Sequence, residues 1–221
     1  MFLGIEIGGT KLQLGVGSGT QPSLTELVRL DVVPAEGAQG IRNQIETAGR
    51  ELLQRYDISS VGYAFGGPVD ALSGTVIKSH QVTGWDGFPL KQWTETTFGL
   101  PTFVENDCDA AALAEARFGA GRGTARMFYI TVGSGIGGGL IVDGKLVGAT
   151  AEIGHLRPGI EATASDQTVE AFASGWGIAA QMKKKYPDTN FSNTKQICDA
   201  AINDDPRASD IIGTAVRVLG W

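Results

Sequence analysis

The chain has 221 residues, with 18 Lys and Arg against 24 Asp and Glu, a net charge of −6. That balance argues against a nucleic-acid partner held by bulk charge, because phosphate contacts need clustered cations, and the only basic run is the three lysines at 183–185. Apolar residues make up 42% and charged residues 19%, which is a globular rather than a disordered composition.

Cys108 and Cys198 are too few for a disulfide framework or a Cys-rich zinc site. No apolar run approaches the ~18–20 residues of a membrane span. The opening MFLGIEIGGTK lacks the charged-then-apolar pattern of a signal peptide. The expectation is a soluble, cytoplasmic protein of one large or two small domains, with no nucleic-acid or membrane partner. The 32 glycines are roughly twice the usual ~7% share. They follow no G-X-Y period and fall in short clusters, which suits turns and close backbone approach to a ligand.

In chain order, 2–7 reads as an apolar strand, 8–11 as a glycine turn and 12–16 as a second strand. Residues 25–33 alternate as a third strand. Ile41, Ile45, Ala48, Leu52 and Leu53 recur at helical spacing, which predicts a helix over 40–56. Residues 58–65 form a buried strand ending in Gly66-Gly67-Pro68, and 102–104 form a short strand leading into Asn106-Asp107. The Ala-rich helix 108–118 follows, with Asn or Asp as a good helix start. The glycine-rich break at 119–124 is the best domain boundary, giving units 1–118 and 119–221.

The second unit repeats the opening of the first. Residues 127–132 are a strand, 133–139 a glycine turn and 140–142 a strand. Asp143-Gly144 is a hairpin signal, and 145–147 continue the sheet. Helices are expected over 168–185, 193–203 and 207–219. The first copy has strands after its helices and the second has none, so its sheet is expected to show an apolar edge. A longer chain or a partner chain would explain that edge.

Two matched glycine turns suit a triphosphate, because backbone N–H groups approach phosphate oxygens with no Cβ in the way. Thr10, Lys11, Thr131 and Ser134 add side-chain donors. Either turn alone reads equally as a tight hairpin, and neither is a Walker A loop. Glu6, at the end of the first strand, could hold Mg²⁺ through water or be a solvated strand end. Asp107 stands where a strand meets a helix. It could take a proton from a substrate hydroxyl, or Asn106-Asp107 could be an ordinary N-cap. Glu152, His155 and Glu170 have hydrogen-bonding chemistry suited to a polyol. Taken singly, the His reads as structural and Glu170 as a helix-start carboxylate.

The segments IEIGGTK (5–11), GYAFGGPVD (62–70), GWDGFPLKQW (84–93), VENDCDAAALAEARFGAG (104–121), ITVGSGIGGGLIVDGKLVGATAEIGHL (130–156) and VEAFASG (169–175) together resemble the ROK family of repressors, open reading frames and kinases. The resemblance runs over almost the whole chain. It implies an α/β fold of two ribonuclease-H-like, actin-like ATPase lobes flanking a cleft, the second lobe incomplete. It implies ATP-dependent phosphorylation of a hexose, glucose-like by default, with ATP and Mg²⁺ bound at the glycine turns. Asp107 falls on the family's catalytic base. Asn106, Glu152, His155 and Glu170 fall on its sugar-binding positions, and Gly9, Thr10, Lys11, Thr131, Gly133 and Ser134 on its phosphate-binding positions. Glu6 replaces the usual metal-placing Asp, as in some fructokinase-like members. Homo-oligomers are common in the family.

The family's zinc motif CxCGxxGC is replaced at 161–168 by EATASDQT, so no zinc is expected. No helix-turn-helix precedes Met1, which points away from the repressor branch. The family's later segment, carrying the adenine-side glycine motif, is absent. That motivates a rival reading, a sugar-binding protein that turns over weakly or not at all. A chaperone-like or actin-like ATPase gives no reason for the 104–107, 152–155 and 170 set.

Overall fold

Leu3, Ile5 and Ile7 alternate along the first strand, β1 (Phe2–Ile7), and all three are buried. Leu12, Leu14 and Val16 do the same on β2 (Lys11–Gly17), which pairs antiparallel with β1. β3 (Leu24–Asp31) pairs antiparallel with β2. Helix α1 (Gly37–Arg55) then buries Ile41, Ile45, Ala48 and Leu52 in the same core. Those four share one helical face at the predicted spacing. β4 (Ser60–Phe65) returns parallel to β1.

A two-residue hairpin, β5 (Val69–Asp70) with β6 (Thr75–Val76), precedes helix α2 (Leu90–Phe98). β7 (Thr102–Asn106) lies parallel to β4, and α3 (Asp107–Phe118) follows without a break. The sheet order is β3-β2-β1-β4-β7. The computed structural model describes residues 1–79, 81–147, 152–159, 162, 164 and 167–220. Residues 161, 163, 165 and 166, in the segment that replaces the zinc motif, and Trp221 lie outside the described residues.

The chain divides into two compact units, Met1–Met127 and Phe128–Trp221, so the glycine-rich break at 119–124 falls inside the first. The core of the first unit centres on Trp85, which is 0% exposed. Phe65 and Phe88 meet its ring edge-on, each with centroids 5.4 Å away, a favoured aromatic geometry. The Arg42 guanidinium lies 4.3 Å from the Phe88 centroid and 5.5 Å from that of Trp85. The opposite face of the sheet is bare at its centre. Gly4 pairs with both Gly15 and Gly62, a row of three glycines across β2, β1 and β4. An open groove of about 720 Å³ runs over this face beside Ala110, Ala114 and Phe118 of α3.

The second unit opens with the same plan. β8 (Arg126–Val132), β9 (Ile136–Val142) and β10 (Lys145–Leu146) stand in the order β10-β9-β8, matching β3-β2-β1. Asp143 and Gly144 have φ of 49° and 74°, the left-handed pair that the hairpin signal requires. Phe128, Ile130 and Val132 are exposed on β8, which lies at the edge of this sheet.

The glycine turn is shorter than expected, because Gly137, Gly138 and Gly139 belong to β9. A Cβ on Gly138 would lie 2.6 Å from the Tyr129 carbonyl oxygen, so this strand runs too close to β8 for a side chain there.

The helix expected over 168–185 is two helices, α4 (Val169–Ala173) and α5 (Gly175–Lys185). Ser174 breaks it. This buried residue is in extended backbone, and its Oγ accepts from the Gly177 N–H at 3.0 Å. Capping of the second helix therefore outweighs continuity of the first. α6 (Thr194–Ile202) and α7 (Pro206–Leu219) complete a core of Ile136, Ile178, Met182, Ile197, Ile211 and Ala215. Among the described residues, no helix is long and apolar enough to cross a membrane.

Replacing Trp85 by Ala should cost about 3–5 kcal/mol, the range for deleting a large buried aromatic side chain. Its Nε1 is buried with no hydrogen-bond partner among the described residues. Trp85→Phe, which removes that donor while keeping a ring, should therefore cost less. Urea midpoints for the two variants check the ranking.

Candidate functional site

Three parallel strands end together in the first unit. Ile7 pairs with Phe65, and Phe65 pairs with Asn106. The residues just past those ends are Gly8 and Gly9, Gly66 and Gly67, and Asp107. Ligands of open α/β sheets bind at the carboxyl ends of their strands. The contacts here are tight. The Gly66 N–H donates to the Ile7 carbonyl at 2.9 Å. A Cβ on Gly66 would lie 3.6 Å from Asp107 Oδ2 and 3.8 Å from the Gly8 Cα. The Asp107 carboxylate, Gly66 and the first glycine turn therefore share one spot.

Asn106 is the N-cap of α3. Its Oδ1 accepts from the N–H groups of Cys108 at 2.9 Å and Asp109 at 3.3 Å, and its Nδ2 donates to the Gly67 carbonyl at 3.1 Å. The capping role read from the sequence is thus present, and the same side chain ties the helix to the 66–67 turn. Asp107 Oδ1 also accepts from the Cys108 N–H, at 2.9 Å. Gly9 lies in the turn, with Thr10 and Lys11 exposed beside it. The Gly8 N–H donates to the Lys11 carbonyl at 3.0 Å and closes the hairpin.

Glu6 lies on the face of β1 that carries Gly4. Its Oε2 accepts from Gln13 Nε2 at 2.7 Å, and Gln13 Oε1 accepts from Arg29 Nε at 2.9 Å. Among the described residues, no group of three His, Cys, Asp or Glu could cage a metal ion. A single exposed carboxylate suits Mg²⁺, which keeps most of its water and is shared with substrate phosphates. Glu105, which the sequence reading passed over, flanks Ala64 on the same face, opposite Glu6. Burial holds its carboxyl above the usual range, partly offset by the Asn106 N–H that it accepts.

In the second unit, Thr131 lies near the end of β8, and Gly133 and Ser134 form the turn before β9. The carbonyls of Gly133 and Ser134 accept from the N–H groups of Gly175 at 2.8 Å and Trp176 at 3.2 Å, so the first residues of α5 back the turn. Thr168 caps α4 and sets Glu170 in its first turn. Glu170 Oε2 accepts from the Ile136 N–H at 2.7 Å. A Cβ on Gly135 would lie 2.7 Å from Glu170 Oε2, and one on Gly154 would lie 3.4 Å from it. Glu170 therefore stands between the glycine turn and the 3₁₀ turn Ile153–His155. Glu152 and His155 are exposed at that turn, with His155 Nε2 3.8 Å from Glu152 Oε2. Asn106 and Asp107 belong to the first unit, and Glu152, His155 and Glu170 to the second.

Strand–glycine turn–strand hairpins open both units, as in the actin-like ATPase fold, the fold of its structural neighbours. The ROK family model matches residues 2–221, and the chain belongs to that family. It is 34% identical over 194 residues to a glucokinase of Streptomyces coelicolor, covering 84% of this chain and 60% of that protein. It is 32% identical over 228 residues to an N-acetylmannosamine kinase of Escherichia coli, covering 98% of this chain and 75% of that protein. Among solved structures, a ROK family glucokinase from Streptomyces griseus in complex with glucose and AMPPNP is 32% identical with a TM-score of 0.75. That match covers 99% of this chain and 76% of the other. The chain thus spans about 60% of the length of the Streptomyces coelicolor relative.

Glu105→Gln tests the raised carboxyl. A carboxyl whose folded pKa is raised contributes stability below its unfolded value and loses it as pH rises through the folded one. The variant should gain stability over wild type as pH rises from 4 to 7, and match it at acid pH. Thermal melts at several pH values check this.

Proposed function

We propose that this chain binds a hexose and ATP and transfers the terminal phosphoryl group to a sugar hydroxyl. The observation that carries the reading is the meeting of Asp107, Gly66 and the first glycine turn at the ends of β1, β4 and β7. Similarity to proteins named glucokinase and N-acetylmannosamine kinase supports it, and glucose is the default substrate.

In this reading Asp107 is the general base. It takes the hydroxyl proton as the sugar oxygen bonds to phosphorus and the bond to the ADP oxygen breaks. Asn106, Glu152, His155 and Glu170 orient the sugar hydroxyls. Backbone N–H groups at Gly9 and Gly133, with Thr10, Lys11, Thr131 and Ser134, hold the phosphates without reorganising as charge shifts. Glu6 would hold Mg²⁺ through water, and the ion would supply positive charge against that developing on the phosphates. No zinc enters, because the sequence between His155 and Glu170 contains no cysteine. The reading also takes the protein to be a cytoplasmic homo-oligomer, and light scattering that returns a monomer would remove that part.

ADP release and calorimetric sugar binding, measured on the 221-residue chain with several hexoses, test the proposal. Asp107→Asn should lower turnover about 10²–10⁴-fold, the worth of a positioned base, and leave sugar affinity unchanged. Undiminished turnover would remove Asp107 from the role. Sugar binding with no ADP release would make the chain a sugar binder rather than a kinase. ATP hydrolysis indifferent to sugar would make it an ATPase.

A further inference from the structure

The loop between β6 and α2 brings one polar side chain onto the first glycine turn. A Cβ built on Gly9 would lie 1.7 Å from Gln81 Oε1, 2.6 Å from its Cδ and 2.8 Å from its Cβ. The carboxamide oxygen and its carbon therefore lie against Gly9, in the space that a side chain would fill. Gln81 also lines a small cavity with Gly8, Gly9, Gly66, Ser79 and Trp85, and Gly66 is the residue that Asp107 Oδ2 approaches.

Gln81 is exposed, yet its backbone is anchored on both sides. Ser79 Oγ accepts from the N–H groups of Gln81 at 3.4 Å and Val82 at 3.2 Å, and the Ser79 N–H donates to the Asp86 carboxylate at 3.3 Å. Val82 and Trp85 are buried, and the Thr83 carbonyl accepts from the Ala38 N–H at 2.9 Å. The loop thus presents the carboxamide to the turn from a fixed base.

We propose that Gln81 is a phosphate-contacting residue: a half-turn of its carboxamide exchanges Oε1 for Nε2 at the glycine turn, and Nε2 donates to the phosphoryl group lying between that turn and Asp107. This rests on the kinase reading above and adds a side chain that reading does not use. A neutral carboxamide offers two N–H donors to phosphate oxygens. A carboxylate in the same place offers none and repels the phosphates.

The test is calorimetric titration of the 221-residue chain with Mg²⁺ and a non-hydrolysable ATP analogue, and separately with glucose. Gln81→Glu, nearly isosteric, should weaken nucleotide affinity by about tenfold or more, the scale of a lost hydrogen bond to a charged group. Gln81→Ala should weaken it by less, because it adds no repulsion. Both should bind glucose as wild type does, which also reports that they are folded. Wild-type nucleotide affinity in Gln81→Glu, or equal losses for glucose and nucleotide, would overturn the assignment while leaving the kinase reading standing. A wild-type chain that binds glucose but no nucleotide would overturn both.

Discussion

Parallel pairing of β1, β4 and β7 is the constraint on which the first unit depends. Each strand is short, and each turns its apolar alternation toward α1, α2 and Trp85. Because Ile7, Phe65 and Asn106 lie abreast, the three segments that leave the strands must leave at one place. One becomes a glycine turn, one a Gly-Gly turn and one a helix headed by Asp107. The meeting of these residues needs no long-range attraction among them. It follows from register, and register follows from which side chains must be buried.

The second unit reaches a related arrangement by capping. Thr168 and Ser174, both in extended backbone, each start a helix, six residues apart. The first cap places Glu170, whose carboxylate holds the start of β9. The second aims the N–H groups of Gly175 and Trp176 at the carbonyls of the glycine turn. Glu170 therefore has a structural partner of its own. Any sugar contact that it makes is made by a carboxylate already held by a backbone donor.

The strands, α1 and α3 were legible because burial imposes a period on the residues. The repeat was legible because both copies place glycines after an apolar strand. The turn at 133–135 was overextended because consecutive glycines in a strand look like loop by composition. What admits them is the approach of β8, a neighbour the local sequence does not describe. The break at Ser174 was missed because Ala, Phe, Trp and Ile at helical spacing run through it, and a serine is weak punctuation until its burial is known. Gln81 gave no signal at all. It lies 72 positions from Gly9, and only the folded loop brings the two together. The candidate residues Asp107, Asn106, Glu6 and the glycine turns were found as motif positions, while the neighbours that orient them were not.

The row of glycines across β2, β1 and β4 has a consequence for how β1 is indexed. Side-chain pairs across strands normally help hold a sheet in place, and Gly15, Gly4 and Gly62 supply none. A shift of β1 by one residue would bring Gly4 and Glu6 into the packed layer and turn Leu3, Ile5 and Ile7 onto the bare side. That side is an open groove beside α3, which offers those three less to pack against than the closed core they would leave, so the slipped sheet loses burial. Such a slip would also carry the glycine turn about 3.3 Å along the strand axis, away from Asp107. The packed face thus acts as a detent for β1, and the glycines on the other face add no cross-strand contact that would favour a different register.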